Sequence, residues 1–396
     1  MGSFSQIVVV GASLAGLRAA QTLREEGYTG ELSLVGAEPH LPYNRPPLSK
    51  SVLTGDDDVA LPGADDVDVH WRGGRRAVRL DTGGRTVALD DGTSLSYDGL
   101  VIATGVRPRR LPEEQMTLRG VHVLRTIDDA TTLRRALATD PGRVVIIGGG
   151  FIGGEVASTV RHLGHQVTVV DAGAVPMDDT IGERAGRWLA VHHGKNGVEL
   201  ISGVRVVEVT GKDGRVSGVR LSDGRTVPAD LVVAGMGVVP NTDWLNGSGV
   251  HVDDGVVTSA ELFADGVSDV VAAGDVARWP HGLFGGELVR VEHWANANEQ
   301  GAVAARNLLR GPGQAEPFDA VPALGTRVHG TRIQWAGLPR LADESSIVTG
   351  TPEDDKFSVA FTRDGVLVGA VAVNFPKEMI RLRKAIAARE QLAVTI

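Results

Sequence analysis

The sequence predicts an α/β protein in which a strand, turn, helix and strand unit occurs twice and a small α+β domain follows. Two glycine-rich turns support this prediction, because each follows an apolar run, at 7–10 and at 144–147, and precedes a segment with apolar residues at helical spacing. After about residue 317 the composition changes to short alternating runs separated by turns. With 396 residues, the chain is long enough for three domains.

The elements of these three parts can be placed from their patterns. In the first unit we expect a buried strand at 6–10, a helix at 14–26 and a strand at 31–35. In the second we expect a strand at 144–147, a helix through Val156, Val160 and Leu163, and a strand at 166–170. Short strands with turns follow both units and end in the apolar runs 100–103 and 231–234. The last part is expected to contain strands at 331–337, 357–362 and 366–373 and a basic helix at 377–389.

The composition narrows the classes of function. The net charge of −9 argues against nonspecific nucleic-acid binding, which needs a positive surface. No apolar run approaches the roughly 18 residues that span a bilayer, and the first residues lack the pattern of an export signal. We therefore expect no membrane association and a cytoplasmic location. The chain contains no cysteine, which excludes disulfides, a cysteine nucleophile and an internal redox dithiol.

The two glycine turns, at 11–16 and 148–153, have the spacing of a dinucleotide fingerprint. In that motif the first glycine allows a tight turn, the second lets a pyrophosphate approach the backbone, and the third lets helix and strand pack closely. The unpaired N–H groups at the helix N-terminus then bind the phosphates. A single pattern of this kind is weak evidence, but here all its parts occur in order twice. The sequence therefore predicts two bound dinucleotides.

An acidic residue about 20 positions after each turn is expected to bind a ribose. Glu38 has this position in the first unit and Asp171 in the second. Because a carboxylate at Asp171 repels a 2′-phosphate, NADH is predicted over NADPH. The first turn departs from the glycine pattern at Ser13, which is small enough to allow the approach. A hydrolase nucleophile elbow would need glycine where Ala15 stands.

Further segments follow predicted buried strands, as expected where the chain leaves a nucleotide-binding sheet. They are residues 103–105, residues 235–237 and the pair Gly274 and Asp275. Asp275 is placed to bind hydroxyl or phosphate groups of a flavin. Alternatively, it caps a helix that begins at Val276.

These motifs resemble those of the FAD-dependent and NADH-dependent ferredoxin reductases that serve bacterial P450s and aromatic-ring dioxygenases, of the putidaredoxin reductase and rubredoxin reductase type. The resemblance rests on residues 42–50 (Pro-Tyr-Asn-Arg-Pro-Pro-Leu-Ser-Lys), 103–105, 148–155, 273–275 and 292–301. It extends from about residue 6 to about residue 310, with weaker similarity at 371–374.

The resemblance implies a glutathione-reductase-like fold with FAD at the first glycine turn and NADH at the second. Together with Gly and Pro punctuation near 239–241 and 311–313, it implies an FAD-binding domain at 1–110 and 240–316, an NAD-binding domain at 111–239 and a C-terminal domain at 317–396. The FAD-binding residues would be Gly11, Ser13, Leu14, Ala15, Gly16, Glu38, Arg45, Lys50, Ala103, Thr104, Gly105, Gly274, Asp275, Glu292, His293 and Trp294. The NAD-binding residues would be Gly148, Gly150, Phe151, Ile152, Gly153, Glu155, Asp171, Gly235 and Gly237.

Three residues would have catalytic roles in such a protein. Lys50 would reach the flavin ring and Glu155 would pair with it, because a lysine near flavin N5 stabilises the reduced ring and a glutamate neutralises the lysine and orients the nicotinamide. The alternative for both is a pair of surface charges. Trp294 would lie near the exposed edge of the flavin or, alternatively, pack in the core. The helix after it, at 296–309, would direct its N-terminal dipole at the flavin.

The implied activity is hydride transfer from NADH to FAD, followed by single-electron transfer to an acidic [2Fe-2S] ferredoxin that docks near the flavin edge. Basic residues are expected to form the docking surface: Arg310, Arg340, Arg381, Arg383 and Lys384. A monomer or weak dimer is expected. No metal site is expected, since His162 and His165 lack helical metal-pair spacing and the adjacent His192 and His193 would point apart on a helix.

The C-terminal part departs from the family pattern. Members of the family carry an aromatic string near Phe-Trp-Ser-Asp-Gln after a Val-Pro pair, whereas here Val321-Pro322 is followed by Ala-Leu-Gly-Thr-Arg. An NADH oxidase or diaphorase that reduces oxygen or a quinone is therefore an alternative. An NADH-responsive flavoprotein similar to apoptosis-inducing factor is a second one.

Overall fold

The computed structural model describes residues 4–56 and 58–392 and divides them into two compact units. The first unit contains residues up to 44 together with 59–107 and 239–322, and the second contains the rest. Residues 1–3, where the absence of an export signal was predicted, lie outside the described residues. None of the described helices is long and apolar enough to cross a bilayer.

The strands follow one another along the whole described chain. The first twelve are Gln6–Val10 (β1), Glu31–Gly36 (β2), His70–Gly73 (β3), Ala77–Asp81 (β4), Thr86–Leu89 (β5), Ser94–Ser96 (β6), Gly99–Ile102 (β7), Val106–Pro108 (β8), Val121–His122 (β9), Arg143–Ile147 (β10), Gln166–Asp171 (β11) and Val198–Ser202 (β12). The others are Val206–Lys212 (β13), Arg215–Leu221 (β14), Thr226–Pro228 (β15), Leu231–Ala234 (β16), Val238–Pro240 (β17), Val256–Val257 (β18), Val270–Ala272 (β19), Ala277–His281 (β20), Glu287–Arg290 (β21), Ala323–Val328 (β22), Thr331–Gly337 (β23), Glu344–Thr351 (β24), Lys356–Arg363 (β25) and Val366–Val373 (β26).

The α-helices of the described residues differ widely in length. They are Leu14–Glu25 (α1), Ser51–Thr54 (α2), Glu113–Met116 (α3), Ile127–Leu137 (α4), Phe151–His162 (α5), Asp178–Lys195 (α6), Trp294–Arg310 (α7) and Pro376–Ala387 (α8). Short 3-10 turns include Pro46–Ser49 and Gly274–Val276.

The first unit is built on a parallel sheet in the order β19-β7-β1-β2-β3. Strands β19, β7 and β1 are almost continuously apolar and buried, which is typical of a parallel sheet covered on both faces. The carboxyl ends of parallel strands lie at one edge. Gly11, Ala103 and Glu38 follow β1, β7 and β2, and Gly274 comes soon after β19, so this edge collects the residues that the motifs single out.

The second unit contains a matching parallel sheet in the order β12-β11-β10-β16-β9. Gly148 follows β10, Gly235 follows β16, and Asp171 is the last residue of β11, so these three also lie at one edge. The same unit holds an antiparallel sheet in the order β22-β23-β26-β25-β24. Helix α6 packs its apolar side on this sheet, with Ile181 and Leu189 in one buried cluster with Phe357.

The predicted fold class is confirmed, and most predicted elements lie within one or two residues of their observed bounds. Helix α5 ends at His162, with Leu163 as its C-cap. Helix α7 begins at Trp294, two residues before the predicted start. Helices α4 and α6 and strand β24 were not predicted. Helix α4 begins with a capping box in which the Thr126 side chain accepts from the Asp129 N–H and the Asp129 side chain accepts from Thr126.

Candidate cofactor-binding and redox site

The first glycine turn has the geometry that its motif requires. Gly11 has a φ of +113°, and a Cβ at this position would lie 2.0 Å from the Ala103 carbonyl oxygen. A Cβ at Gly16 would lie 1.8 Å from the Gly11 carbonyl oxygen. Neither position has room for a side chain, because in each case the obstacle is backbone. Ser13 has extended backbone angles of −110° and −160° just before α1.

The second turn repeats this geometry in the second unit. A Cβ at Gly148 would lie 2.2 Å from the Gly235 carbonyl oxygen, and one at Gly153 would lie 2.0 Å from that of Gly148. Gly150 is different, since nothing stands within 4 Å of a Cβ built on it. This open space fits the position at which a pyrophosphate approaches the backbone. The residues present therefore fit a dinucleotide.

The two predicted ribose-binding acids have different surroundings. Glu38 accepts a hydrogen bond of 2.5 Å from the hydroxyl of the buried Tyr43, which fixes its orientation. Asp171 accepts a 3.3 Å hydrogen bond from the Gly173 N–H. Its Oδ2 lies 2.5 Å from the place where a Cβ on Gly149 would stand. Gly149 thus keeps the space beside the carboxylate open.

Two amide residues that were not among the predicted site residues fix the other edge segments of the first unit. The backbone carbonyl of Asn241 accepts a 2.8 Å hydrogen bond from the Thr104 hydroxyl. The side-chain Nδ2 of Asn241 donates a 2.9 Å hydrogen bond to the backbone carbonyl of Thr104. Its N–H also donates to the Gly105 carbonyl. Gln300 of α7 is fully buried, and its Oε1 accepts from the Gly274 N–H at 2.9 Å. Asn241 and Gln300 belong to the site's support because they hold these backbone segments.

Lys50 and Glu155 form a partly buried ion pair in the second unit. Lys50 Nζ lies 2.6 Å from Glu155 Oε2, and the side chains are 34% and 1% exposed. The alternative of two surface charges therefore does not apply to Glu155. Lys50 also donates to the Pro46 carbonyl at 3.0 Å and lies 5.8 Å from the centre of the Phe151 ring. The cation is held from three sides.

Hydroxyl groups surround the Glu155 carboxylate. Ser49 donates to Oε2 and Thr326 donates to Oε1. Thr159, one turn further along α5, donates to the carbonyls of Ser49 and Glu155 at 2.8 and 3.1 Å. Ser49 lies within the string at 42–50 that carried the resemblance, so its position in the motif was a usable signal. Thr326 is 171 residues from Glu155, and no sequence pattern connects them.

The remaining predicted residues lie in varied settings. Trp294 is the first residue of α7, is 40% exposed and donates to Asn44 Oδ1 at 2.9 Å, so it is not a core aromatic. Glu292 is exposed and accepts from Arg290 at 2.6 Å. Arg45 donates to the Arg125 carbonyl at 2.7 Å. The other predicted residues differ in exposure: Ala15 is buried, Leu14, Phe151, His293 and Asp275 are half-buried, and Ile152 and Gly237 are exposed. Asp275 lies inside the short turn Gly274–Val276, whose N-cap is Ala273, so the helix-cap alternative is wrong.

The expectation that His192 and His193 point apart is wrong, because both rings reach His329. His193 Nδ1 and His329 Nε2 are 3.0 Å apart, and the rings of His192 and His329 are 5.7 Å apart. Burial, with the neighbouring histidines, lowers the pKa of His193 to about 3. Burial, with His192 and Arg161, lowers the pKa of His329 to about 4. Among the described residues, no group of three His, Cys, Asp or Glu side chains is arranged to hold a metal ion.

Comparison with known proteins identifies the family of this fold and site. A family model described as pyridine nucleotide-disulphide oxidoreductase matches residues 5–301, and one described as reductase C-terminal matches residues 327–395. The chain belongs to the pyridine nucleotide-disulphide oxidoreductases. Unlike a disulphide reductase of this family, it has no cysteine with which to form a redox-active disulfide.

Several relatives within this oxidoreductase family match almost the whole chain. Rhodocoxin reductase of Rhodococcus erythropolis is 36% identical over 96% of this chain and 89% of its own length. The ferredoxin–NAD(+) reductase component of the p-cumate 2,3-dioxygenase system of Pseudomonas putida is 37% identical over 96% and 92%. Putidaredoxin reductase, in its covalent complex with putidaredoxin, is similar in structure, with a TM-score of 0.92, 31% identity, and coverage of 98% and 94%.

These findings confirm the predicted resemblance to ferredoxin reductases, the fold class and the assignment to the oxidoreductases. They also confirm the predicted cofactor pair, FAD and NADH. The roles of individual residues and the domain boundaries stay predictions, and so do the cytoplasmic location and the oligomeric state.

Proposed function

We propose that this chain is an NADH-dependent ferredoxin reductase, which transfers a hydride from NADH to FAD and then passes single electrons to a [2Fe-2S] ferredoxin that feeds a P450 or another oxygenase. The named relatives support this, since they are reductase components of such systems. The observation that carries the proposal is the Lys50–Glu155 ion pair. Helix α5, which holds Glu155, begins at the second glycine turn, and this supports a position of the charge pair next to the proposed nicotinamide.

Each glycine turn is proposed to bind one nucleotide through its backbone N–H groups. The turn that begins at Gly11 would hold the pyrophosphate of FAD, with Glu38 on the ribose, and the turn at Gly148 would hold NADH, with Asp171 on the ribose. The space beside Gly150 supports this for the second turn. We place the FAD-binding domain at 1–110 and 240–316, the NAD-binding domain at 111–239 and the C-terminal domain at 317–396.

The two charged residues would act on the reaction through position and electrostatics. FAD, when bound, supplies the hydride acceptor and the route by which electron pairs are split into single electrons. Lys50 would present a fixed positive charge where negative charge develops, which lowers the barrier because the charge is already oriented. Glu155 would keep Lys50 in place and stop it from reorganising towards water. Trp294, half-exposed on α7, would lie at the exit for electrons.

The proposed electron acceptor is an acidic ferredoxin, and α8 is its proposed docking surface. This helix carries Arg381, Arg383 and Lys384 on its exposed side, beside Ile380, which is 59% exposed. An apolar side chain within a basic surface suits an acidic partner with a small apolar contact. Arg381 pairs with Glu378 at 2.7 Å, and Arg383 and Lys384 are exposed on the same helix. Arg340 is exposed, and Arg310 pairs with Glu316.

A second candidate function is an NADH oxidase or diaphorase. It is favoured by one observation, which is that the string after Val321-Pro322 contains no aromatic residue. Gly325 and Arg327 of this string are exposed on β22. If aromatic rings at these positions normally shield a flavin, their absence would give oxygen or a quinone access.

The proposal is tested by anaerobic stopped-flow mixing of the purified yellow protein with NADH or NADPH. We expect NADH to bleach the flavin at least about tenfold faster than NADPH, because Asp171 repels a 2′-phosphate. A reductase should then reoxidise rapidly with ferredoxin and slowly with oxygen. Fast reoxidation by oxygen with peroxide release would support the oxidase instead. A colourless protein that takes up no FAD would contradict both functions.

A further inference from the structure

The Glu155 carboxylate is buried and needs donors on both oxygens. Its side chain is 1% exposed, so water does not solvate it. Oε2 receives Lys50 Nζ at 2.6 Å and the hydroxyl of Ser49, while Oε1 receives the hydroxyl of Thr326 at 2.5 Å. A buried carboxylate is stable in its ionised form only where such donors replace water.

The donors come from two different sides of the carboxylate. Lys50 and Ser49 belong to one short segment, and Thr159 fixes that segment by donating to the Ser49 carbonyl at 2.8 Å. Thr326 belongs to β22, the first strand of the C-terminal sheet. The orientation of Oε1 therefore depends on the C-terminal sheet, and that of Oε2 depends on the segment that contains Lys50.

Packing alone does not explain why a threonine, with its hydroxyl, occupies position 326. Thr326 and Val328 are the buried residues of β22, and Val328 lies in the apolar cluster between α6 and the sheet. A valine at 326 would fill nearly the same space as threonine but would donate nothing. In contrast, the fully buried Ser358 of β25 has a hydroxyl with no hydrogen-bond partner among the described residues. The buried hydroxyl of Thr326 thus makes a hydrogen bond to Glu155, whereas that of Ser358 makes none within the described part of the chain.

We propose that Thr326 is a positioning residue of the redox site, whose hydroxyl holds the Glu155 carboxylate so that Oε2 faces Lys50. Without it, Oε1 loses its donor, the carboxylate turns about its terminal torsion, and Lys50 loses a fixed counter-charge. The consequence for flavin reduction rests on the proposed function. The hydrogen bond itself and its effect on the stability of the fold do not depend on the proposed function.

The kinetic test compares the FAD-bound protein with its Thr326→Val, Thr326→Ser and Ser358→Ala variants by stopped-flow reduction with NADH. Thr326→Val should lower the limiting rate of flavin reduction by about tenfold, as is typical when a supporting hydrogen bond of a site is lost. The apparent Kd for NADH should stay within about twofold, because Gly148, Gly153 and Asp171 are untouched. Thr326→Ser should restore the rate, and Ser358→Ala should match the wild type.

The second test does not depend on turnover and uses thermal unfolding of the same FAD-bound variants. Thr326→Val should lower the Tm by about 2–6 °C, because it leaves a buried carboxylate oxygen without its donor. In a Glu155→Met background the same substitution should change the Tm by less than about 1 °C, since the hydroxyl has no carboxylate to bind. Ser358→Ala again serves as the control for a buried hydroxyl.

The outcomes are separable. A limiting rate for Thr326→Val within about twofold of the wild type, or a Thr326→Ser variant as slow as Thr326→Val, would overturn the positioning role. Equal Tm losses with and without Glu155 would overturn the hydrogen bond as their cause. If the wild type is not bleached by NADH, the proposed function fails, while the thermal cycle still decides whether Thr326 holds Glu155.

Discussion

At the scale of single residues, the Lys50 ammonium is held more firmly than an ordinary surface lysine. It lies between a buried carboxylate, the Pro46 carbonyl at 3.0 Å and the face of Phe151. Phe151 is itself fixed by an edge contact with Trp335, at 5.6 Å between ring centres. A charge fixed in this way stabilises a reacting group without first having to reorganise.

We predict that Lys50→Met lowers the limiting rate of flavin reduction by NADH by about 10²-fold, because it removes the fixed charge and leaves Glu155 buried and unpaired. Stopped-flow absorbance measures the rate. The matched control is Arg187→Met, which breaks the exposed pair with Glu183 and should leave the rate unchanged. Equal rates for the wild type and Lys50→Met would show that the ion pair has no role in reduction.

The three clustered histidines His192, His193 and His329 affect stability rather than binding chemistry. His193 is 1% exposed, and burial keeps its pKa at about 3 in the folded protein, against an ordinary value of 6.5. The charged groups that contribute around the cluster are Arg161, Lys195 and Asp355. Since the unfolded chain takes up protons near pH 6.5 and the folded one does not, stability is full above that pH and falls as the pH drops towards 4.

We predict that the free energy of unfolding of the wild type falls between pH 7 and pH 4.5. The same fall should be about 2 kcal/mol smaller in the His193→Gln variant. Urea unfolding at several pH values measures the difference. His162→Gln, on the exposed end of α5, is the control and should lose as much as the wild type. A His193→Gln variant with an unchanged acid profile would contradict this assignment.

At the scale of elements, helices α1 and α7 of the first unit approach through glycine and alanine. A Cβ on Gly301 of α7 would lie 2.4 Å from the Ala15 carbonyl oxygen of α1. A Cβ on Gly274, in the short turn before β20, would lie 2.9 Å from the Cβ of Ala15. The close contact keeps the start of α1, next to the first glycine turn, against the rest of its unit.

We predict that Gly301→Ala destabilises the FAD-bound protein by about 1–3 kcal/mol, because the added methyl meets backbone that cannot move aside. Gly194→Ala is the matched control, since Gly194 also lies in a helix but a Cβ there has nothing within 4 Å. That change should be neutral or stabilise by up to about 1 kcal/mol through helix propensity. Thermal unfolding separates the two, and a Gly301→Ala variant as stable as Gly194→Ala would refute the steric argument.

The sequence predicts the glycine turns and their strands well, because both follow from short patterns of Gly and apolar residues. Helix α6 was missed because Gly182, with a φ of 74°, interrupts the helix near its start. Strand β24 is largely half-exposed and lacks a clear alternation. Of the two hydroxyl groups on the Glu155 carboxylate, that of Ser49 lies within the motif at 42–50. That of Thr326 could not be predicted, since it comes from a segment 171 residues away in the chain.

At the scale of the whole molecule, the net charge of −9 opposes an acidic partner at long range. Docking of the proposed acidic ferredoxin would then depend on a local basic surface, and α8 is the proposed one. Such contacts act mainly on association, are screened by salt and leave the chemistry at the flavin unchanged.

We predict that Lys384→Glu raises the KM for ferredoxin by about 5–10-fold at low salt, with a smaller effect at high salt. The rate of flavin reduction by NADH should not change. Lys212→Glu alters the net charge equally, but at the exposed end of strand β13, and should leave the KM near the wild-type value. Equal effects of both substitutions would mean that net charge, and not α8, determines docking.

The most direct measurement of the central claim is the stoichiometry of electron transfer by the purified protein with NADH and a [2Fe-2S] ferredoxin. A hydride carries two electrons and each ferredoxin accepts one, so we predict two ferredoxins reduced for each NADH oxidised, with little peroxide formed. NADH consumption that is independent of ferredoxin and matched by an equal amount of peroxide would contradict the account.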